Sequence, residues 1–413
     1  MATRGKSGYT AQVPHAPGSR AIANRAAGMP RLANLLLLLG TLLVCGISLE
    51  LGFRAYSDVP VFQIVDWRKA HRLRAESAEA SAIALYDPVL GWTMRDGYSS
   101  ASINIIDYGI RKNQASDTAI RTGGVLVVGD SFAAGSQVND DETWPAQLEA
   151  RLGVPVLNAG IGGYGIDQMV LRAEQLLPVI HPKTLILGTQ DQGILRVKFT
   201  SYGRPKPYFT IEGGVLVTHN EPVPRYTVDP VRESLFRRIL GYSFLADQIM
   251  GIYFPDRWYT QDGQRFADAP IDEVAVSCRL LERLKDDADS YGARLLMLMQ
   301  YGGPLRLQSA PPPFAANVMR CARAAGIQTV DEFESLHAIA QRSIDEFKQL
   351  YVMVDDPAQP YGHMSALGNA HIAALLDAAL REPAPTRNTD PTAMGRGAMT
   401  APELAPGPAV VKQ

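Results

Sequence analysis

The sequence predicts an α/β fold with three layers, in which helices cover both faces of a mostly parallel sheet of about five strands. Short apolar runs alternate with amphipathic helical patterns over most of residues 121–381, an order typical of such sheets. A charge-free apolar run at 32–49 predicts one transmembrane helix ahead of the folded domain. The alternation is interrupted at 192–270, which predicts an inserted hairpin-plus-helix region.

The composition is that of an ordinary globular protein with a sizeable core, in one large domain or two. Of the 413 residues, 46% are hydrophobic and 20% are charged, as in soluble folded domains. The formal net charge is −2 and no basic stripe stands out. A nucleic-acid partner is therefore not expected, because phosphate binding needs clustered Lys and Arg.

The three cysteines do not indicate a metal site. No C-x-x-C motif is present, so a thiolate zinc site is not expected. Cys278 and Cys321 form a disulfide if the domain lies outside the cytoplasm, or else they are two buried free thiols. The sequence alone leaves both open.

Residues 32–54 are predicted to anchor the chain in a membrane. The apolar run 32–49 and the residues that follow it reach the roughly 20 needed to cross a bilayer. A buried helix of a soluble protein is disfavoured because no polar face alternates with the apolar one. A cleaved signal peptide is disfavoured because 31 residues precede the run and no A-x-A site follows. Basic residues flank both ends, so charge favours a cytoplasmic N-terminus only slightly.

Changes in composition divide the chain into five regions. A disordered basic tail is predicted at 1–31 and a disordered Pro/Ala/Gly-rich tail at 382–413. The anchor at 32–54 is joined by a connecting region, 55–120, to the α/β domain at 121–381.

The elements of the domain follow one another in regular order. The first helix has clear end signals, because Thr143 can cap it, Pro145 lies in its first turn and Gly153 ends it. The predicted strands are 123–130, 155–161, 184–190, 293–300 and 327–331, and the predicted helices are 143–153, 167–180, 271–290, 313–325 and 365–380.

The insertion 192–270 is expected to form a lid or a wall beside the ligand site. Residues 207–224 predict a hairpin that turns at Gly213-Gly214, and residues 230–254 predict one amphipathic helix. Structural decoration without a role at the site is the alternative.

Four groups that can support acyl transfer fall at the carboxyl ends of strands, where open α/β sheets bind ligands. Ser131 follows the first strand, a glycine-rich turn at 160–165 follows the second, and Gln190 ends the third. His363 precedes the last helix. A serine nucleophile needs a base, and its tetrahedral oxyanion needs preorganised donors such as backbone N–H groups and a side-chain amide.

These segments resemble the sequence blocks of the SGNH (GDSL) hydrolase family, in its bacterial membrane-anchored subgroup. "VLVVGDSFAAG" resembles the first block, "LNAGIGGYG" the second, "GTQDQG" the third and "GHMSALGNAHIA" the block with the catalytic histidine. The resemblance covers about 105–192 and 271–380. It implies an SGNH, flavodoxin-like fold, Ser131 and His363 as catalytic residues, and an oxyanion hole from the N–H groups of Ser131 and Gly163 with the amide of Gln190.

Two positions depart from the family pattern. Gln190 stands where the third block usually has asparagine, and Pro360 stands where the acid usually precedes the histidine by three residues. Asp356 is the predicted substitute for that acid, and otherwise the site is a Ser-His dyad or is impaired. Asp130 and Asp191 are expected to be structural, and His371 is a weaker alternative base.

The predicted function is a serine esterase that hydrolyses carboxylic esters, with O-acetyl groups on cell-envelope carbohydrate as the substrate class. The resemblance implies no cofactor and no metal. It implies a single-pass protein of the inner membrane with its catalytic domain outside the cytoplasm; the oligomeric state is left open. The alternatives are an O-acetyltransferase that uses the same site and an inactive glycan-binding or scaffold subunit of an envelope assembly.

Two other enzyme classes are disfavoured by spacing. Gly160, Gly162 and Gly165 match G-x-G-x-x-G, but a dinucleotide fingerprint follows a first strand and needs an acid about 20 residues later. Here another strand comes first and no acid stands at that distance. The G-x-S-x-G elbow of α/β-hydrolases fails because Ala133 replaces its second glycine.

Overall fold

A computed structural model describes residues 19–57, 59–62, 64, 67, 83–225, 235–254, 258, 264–355 and 360–383 of the chain. The predicted tails at 1–31 and 382–413 lie largely outside these residues. The first helix begins at Ser19, within the segment predicted to be a disordered tail.

The strands of the described residues are named in chain order. They are β1 (Ala84–Asp87), β2 (Gly91–Met94), β3 (Ile105–Ile106), β4 (Ile110–Arg111), β5 (Val125–Gly129), β6 (Val156–Asn158), β7 (Thr184–Gln190), β8 (Phe199–Tyr202), β9 (Arg204–Pro205), β10 (Tyr208–Glu212), β11 (Val215–His219), β12 (Gln264–Phe266), β13 (Arg294–Gln300), β14 (Gln328–Asp331), β15 (Tyr351–Met353) and β16 (Tyr361–Met364).

The α-helices are named in the same way. They are α1 (Ser19–Tyr56), α2 (Ser131–Ala134), α3 (Trp144–Leu152), α4 (Ile166–Ile180), α5 (Gln192–Leu195), α6 (Leu235–Leu240), α7 (Phe244–Tyr253), α8 (Glu273–Ser290), α9 (Pro313–Ala324), α10 (Phe333–Arg342), α11 (Ile344–Gln349) and α12 (Ala366–Arg381).

A seven-stranded sheet lies at the centre of the described part of the chain, in the order β14-β13-β7-β5-β6-β4-β3. Its first five strands run parallel to one another. They coincide with the five strands that the sequence predicts. The two edge strands β4 and β3 are antiparallel and come from the region predicted to be a connector.

Helices cover both faces of this sheet, which confirms the predicted three layers. Alternate side chains of a strand face opposite sides. Val125 and Val127 pack with α3 and α12, whereas Leu126 and Val128 belong to the cluster built by α4, α8 and α9. Burial on both faces explains why the strands are apolar without alternation.

The end signals of α3 act as the sequence predicts. The Thr143 side chain accepts a hydrogen bond from the Ala146 N–H, and Pro145 occupies the first turn. Gly153 follows the helix with a φ of 66°, a left-handed conformation that glycine adopts at little cost.

The insertion contains the predicted hairpin but not the predicted single helix. Strands β10 and β11 pair antiparallel around Gly213-Gly214. The helix predicted over 230–254 is instead two helices, α6 and α7, separated at Gly241. Ser243 caps α7 by accepting a hydrogen bond from the Ala246 N–H, which starts a new helix where one continuous helix was predicted.

Helix α1 has the length and composition of a membrane span. Within its segment Leu32–Tyr56, an 18-residue window has a mean hydropathy of 2.3, and none of that window is buried against the rest of the protein. A core helix of a soluble protein would be mostly buried, so that alternative is disfavoured.

The two cysteines left open by the sequence are joined. Cys278 on α8 and Cys321 on α9 form a disulfide, with their Cα atoms 5.8 Å apart. The bond ties together two neighbouring helices on one face of the sheet.

Candidate active site

Ser131 lies at the predicted rim, at the carboxyl end of β5 and the first turn of α2. Asp130 precedes it as the helix cap and accepts a hydrogen bond from the Phe132 N–H at 2.9 Å. The Ser131 side chain is half-buried. The nucleophile candidate is therefore held by a sharp strand-to-helix turn and remains accessible.

Asp130 also connects the serine turn to the neighbouring strand. This fully buried carboxylate accepts a hydrogen bond from the Gln190 N–H at 3.0 Å and lies 3.4 Å from Nη1 of Arg196. Its contacts are all structural, as predicted for Asp130.

The turn after β6 presents the predicted glycine beside Ser131. Gly163 has a φ of 82°, which a residue with a side chain rarely adopts. A Cβ atom on Gly162 would lie 3.8 Å from Cβ of Ser131. The turn therefore packs directly against the serine.

Trp92 orients the peptide group of this turn. Its indole Nε1 donates a hydrogen bond to the Gly162 carbonyl at 3.1 Å. In a trans peptide the following N–H points the opposite way, so the Gly163 N–H is directed away from the indole. That N–H donates no hydrogen bond to any described residue and is available to a ligand.

Gln190 ends β7 next to the serine turn. Its side-chain Nε2 lies 3.2 Å from the position that a Cβ atom on Gly302 would take. Gly302 therefore leaves room for the carboxamide, which is longer than the asparagine amide of the family pattern.

His363 lies on β16 and reaches the loop that follows Ser131. Its backbone N–H and its Nδ1 lie 2.6 Å and 2.8 Å from Oε1 of Gln137, and its ring centroid is 5.1 Å from that of Phe132. Phe132 adjoins Ser131 in the chain, so these contacts place the His363 ring beside the loop that begins at Ser131.

The contact with Gln137 selects one tautomer of His363. A backbone N–H can only donate, so the atom facing it is the amide oxygen, which can only accept. Nδ1 must therefore carry the proton in this hydrogen bond, and Nε2 is left unprotonated in the neutral ring. A base for Ser131 needs that unprotonated nitrogen.

Arg111 holds the loop that carries Gln137. Its side chain is 3% exposed and pairs with Asp140 at 2.7 Å. Nη1 donates to the carbonyl groups of Ala134 and Gly135, each at 2.6 Å, and Nη2 donates to that of Val138 at 2.7 Å. One buried guanidinium thus binds the carbonyls on both sides of Gln137.

The remaining residues considered for the site are Asp356, His371 and Asp191. Asp356 lies outside the described residues. His371 lies on α12, where Nε2 is 2.9 Å from the Ser335 hydroxyl. Burial raises the pKa of Asp191 to about 6, and its Oδ1 accepts the Gln192 N–H, a structural contact.

The insertion forms a wall beside the glycine turn. A Cβ atom on Gly163 would lie 3.5 Å from the Tyr202 ring, and Arg196, stacked over that ring at 5.0 Å, donates to the Tyr164 carbonyl at 3.0 Å. Nearby, the buried Lys206 forms an ion pair with the buried Asp167. These contacts pack the insertion against the glycine turn, and its role as a lid or wall of the site stays a prediction.

Gln137, Trp92 and Arg111 contact the predicted site residues or their loops, but sequence reasoning did not find them. Gln137 and His363 are separated by 226 residues, and Trp92 lies in a region predicted to be a connector. No local pattern relates such residues. Among the described residues, no group of His, Cys, Asp or Glu comes together that could hold a metal ion.

Comparison with known proteins gives structural neighbours only. Neither a protein-family model nor a curated protein matches the chain. The acetyl xylan esterase AlAXEase is 11% identical with a TM-score of 0.37, covering 62% of this chain and 99% of its own.

Two further neighbours are hydrolases. The lipase/acylhydrolase from Enterococcus faecalis is 12% identical with a TM-score of 0.34, covering 64% of this chain and 99% of its own. A catalytic mutant of Axe2, an acetylxylan esterase from Geobacillus stearothermophilus, is 11% identical with a TM-score of 0.37, covering 65% of this chain and 98% of its own. By their names these neighbours are hydrolases. Similarity this low does not assign an activity to this chain.

Proposed function

We propose that the chain is a serine esterase of the SGNH type, with Ser131 as nucleophile and His363 as general base. The observation that supports this most is the pair of hydrogen bonds from His363 to Gln137. They hold the imidazole against the loop that begins at Ser131 and fix the tautomer in which Nε2 accepts a proton.

The proposed reaction has two steps. Ser131 Oγ attacks the ester carbonyl while Nε2 of His363 takes its proton, and the oxyanion is held by the N–H groups of Ser131 and Gly163 with the Gln190 amide. The tetrahedral intermediate collapses, His363 gives the proton to the leaving alcohol, and an acyl-serine remains. Water then attacks with His363 as base, which releases the acid and free Ser131.

Gln137 and Asp356 have different roles in this proposal. Gln137 is a positioning residue, since it holds Nδ1 of His363 without touching substrate. Asp356 remains the predicted carboxylate of the site, because a negative charge near the imidazole would stabilise the imidazolium that forms during attack.

The proposed location is the inner membrane, with one span and the catalytic domain outside the cytoplasm. Helix α1 is apolar over the length of a span and unburied. The Cys278–Cys321 disulfide supports an oxidising compartment, because such bonds are rare in the cytosol. This location makes O-acetyl esters of cell-envelope carbohydrate the proposed substrate class.

The test is hydrolysis of 4-nitrophenyl acetate by the Ser131→Ala and Ser136→Ala variants. Ser136 is half-buried five residues further along the same loop, so it controls for loss of a hydroxyl there. We expect Ser131→Ala to lose activity and fluorophosphonate labelling, and Ser136→Ala to keep both. Full activity in Ser131→Ala would overturn the proposal.

The two alternative functions give other results. Acyl transfer to an added glycan in preference to water would indicate an O-acetyltransferase with the same catalytic serine. A parent protein that neither hydrolyses esters nor reacts with the fluorophosphonate would indicate a binding or scaffold subunit.

A further inference from the structure

Two helices of the insertion expose an apolar surface next to the end of α1. We call it the insertion face. Its apolar side chains are far more exposed to solvent than packed core side chains are. The face consists of Leu235 (70%), Ile239 (64%), Tyr242 (50%), Ile249 (44%), Ile252 (71%) and Tyr253 (72%).

The exposed side of α7 carries no charge. Asp247 is the one charged residue between Phe244 and Tyr253. It is 1% exposed and accepts a hydrogen bond from Nε1 of Trp258 at 2.7 Å. Large exposed apolar patches mark contact surfaces, so the uncharged exposed side of α7 is a candidate contact surface.

The membrane-proximal end of α1 caps α7. The Glu50 carboxylate accepts hydrogen bonds from the N–H groups of Phe244 and Leu245 at 2.7 Å and 3.0 Å. It also accepts one from the Ser243 hydroxyl at 2.8 Å. A carboxylate at a helix N-terminus satisfies free N–H groups and favours the helix dipole.

Apolar and cationic contacts strengthen this junction. The rings of Phe53 and Phe244 lie 5.5 Å apart, and Nη2 of Arg54 donates to the Tyr242 carbonyl at 3.2 Å. If α1 were removed as a signal peptide, the N–H groups of Phe244 and Leu245 would lose the Glu50 carboxylate, and Phe244 would lose one of its aromatic contacts. The junction therefore favours an α1 that stays attached.

The position of Glu50 sets the level of α7 in a bilayer. The charge-free run 32–49 spans about 27 Å at a rise of 1.5 Å per residue, close to the ~30 Å of a hydrocarbon core. Glu50 then lies at the edge of the core, and α7 begins at that level. Helix α7 does not pack along the membrane span of α1, because Leu43 and Ile47 of α1 stay exposed.

We propose that the insertion face lies in the interfacial layer of the bilayer beside α1. The inference rests on the membrane anchoring in the proposed function. Apolar helix faces insert at the boundary of headgroups and acyl chains, and tyrosines such as Tyr242 and Tyr253 are enriched at that depth. The face adjoins the end of α1, because the Glu50 carboxylate accepts hydrogen bonds from the first N–H groups of α7.

The same junction ties the catalytic rim to the membrane boundary. Nη2 of Arg306 donates to the carbonyl of Ser57, the residue after α1, at 2.7 Å. The guanidinium of Arg306 lies 5.8 Å from the ring centroid of Tyr361. Tyr361 precedes His363 by two residues on β16, so the insertion face would hold the site close to the bilayer surface.

The test uses the full chain with Cys45→Ala, reconstituted in vesicles of phosphatidylcholine and phosphatidylglycerol. Single cysteines at Ile252, Leu38 and Val154 carry an environment-sensitive fluorophore. Leu38 reports the span. Val154 is an exposed apolar control at the amino end of β6, on the edge of the sheet away from the rim.

We expect the Ile252→Cys probe to show blue-shifted emission and quenching by lipids with a shallow nitroxide. The Val154→Cys probe should be quenched by aqueous iodide instead. Iodide quenching at Ile252 equal to that at Val154, with Leu38 protected, would overturn the insertion face but leave the anchor intact. An unprotected Leu38 would overturn the anchoring itself.

A second copy of the chain on this face would give a different result. The blue shift at Ile252 would then grow with the ratio of protein to lipid, and the cysteines of two copies would cross-link. That outcome would also overturn the proposal. Because these readouts do not involve ester hydrolysis, an inactive Ser131 site would not affect them.

Discussion

Replacing Gln137 with leucine tests how His363 is oriented. Leucine has a similar size but no acceptor, so Nδ1 and the backbone N–H of His363 both lose the oxygen that now lies at 2.8 Å and 2.6 Å. Gln137 is exposed and His363 half-buried, so water can solvate the freed N–H groups and the fold should change little. The effect is expected on catalysis.

The expected magnitude follows from the change of charge on the imidazole. A hydrogen bond to a neutral partner contributes about 1 kcal/mol, and one to a charged partner about 1.5–3 kcal/mol. The ring is neutral before attack and cationic afterwards, so the lost stabilisation specific to the transition state is about 1–2 kcal/mol. This corresponds to a roughly 5- to 30-fold decrease in kcat with little change in KM.

The assay is steady-state hydrolysis of 4-nitrophenyl acetate between pH 5 and 9 (about the range in which an imidazole titrates). The Gln137→Glu variant should keep the acceptor and add a negative charge. Its acid limb of kcat/KM should move to higher pH, because an adjacent carboxylate favours the imidazolium. A purely structural role for Gln137 would not move this limb.

Two further variants make the prediction refutable. Gln114 is exposed, so Gln114→Leu controls for the substitution itself and should leave kcat unchanged. If Gln137→Leu keeps kcat within twofold (about 0.4 kcal/mol) while Asp356→Asn abolishes activity, Gln137 does not orient His363 and Asp356 does.

Three other predictions concern the surroundings of the site. Burial raises the pKa of Asp191 from 3.8 to about 6, so between these pH values the folded state keeps a proton that the unfolded state loses. The free energy of unfolding of the parent is therefore highest below pH ~4 and falls as the pH rises to about 6. Asp191→Asn should therefore gain stability over the parent across that window, reaching about 3 kcal/mol at pH 7 by urea unfolding. Arg111→Met should destabilise the fold by about 3 kcal/mol, because it leaves Asp140 and several carbonyls without their donor. Thermal unfolding measures this loss of stability, and kcat of the folded protein measures the effect on activity. Gly302→Ala should lower kcat but not stability if the Gln190 amide holds the oxyanion, since the new methyl would lie 3.2 Å from Nε2.

The order of layers could be predicted because the central parallel strands are buried on both faces. Val125–Gly129 is an unbroken apolar run and Thr184–Gln190 contains an apolar centre, and local end signals mark the helices between such strands. Strands β3 and β4 have two residues each, too few to show a period. They form only because β4 pairs with the distant Asn158.

The break between α6 and α7 combines a local signal with a distant one. The apolar periodicity runs on through Gly241, so it predicts one helix. Ser243 caps α7 locally, and Glu50, which lies 194 residues before Phe244, adds a second acceptor from another helix.

Candidate site residues could be predicted where they stand at the ends of regular elements. Residues that reach the candidate site from distant parts of the chain could not. Ser131, Gly163, Gln190 and His363 all follow or precede regular elements at one rim. Trp92 forms one hydrogen bond and Gln137 two across long separations, for which one sequence contains no signal.

In the proposed site, the contacts of Gln137 orient His363 without an acid at position 360. In the family pattern the orienting acid lies in the loop just before the histidine, so that loop must be rigid. Here the loop after Ser131 carries the orienting group, and Arg111 fixes that loop through three of its carbonyls. In the proposed site, nucleophile and positioning residue then belong to one segment that Arg111 holds. A substitution of Pro360 should therefore cost less activity than the loss of Arg111, whose guanidinium holds both sides of Gln137.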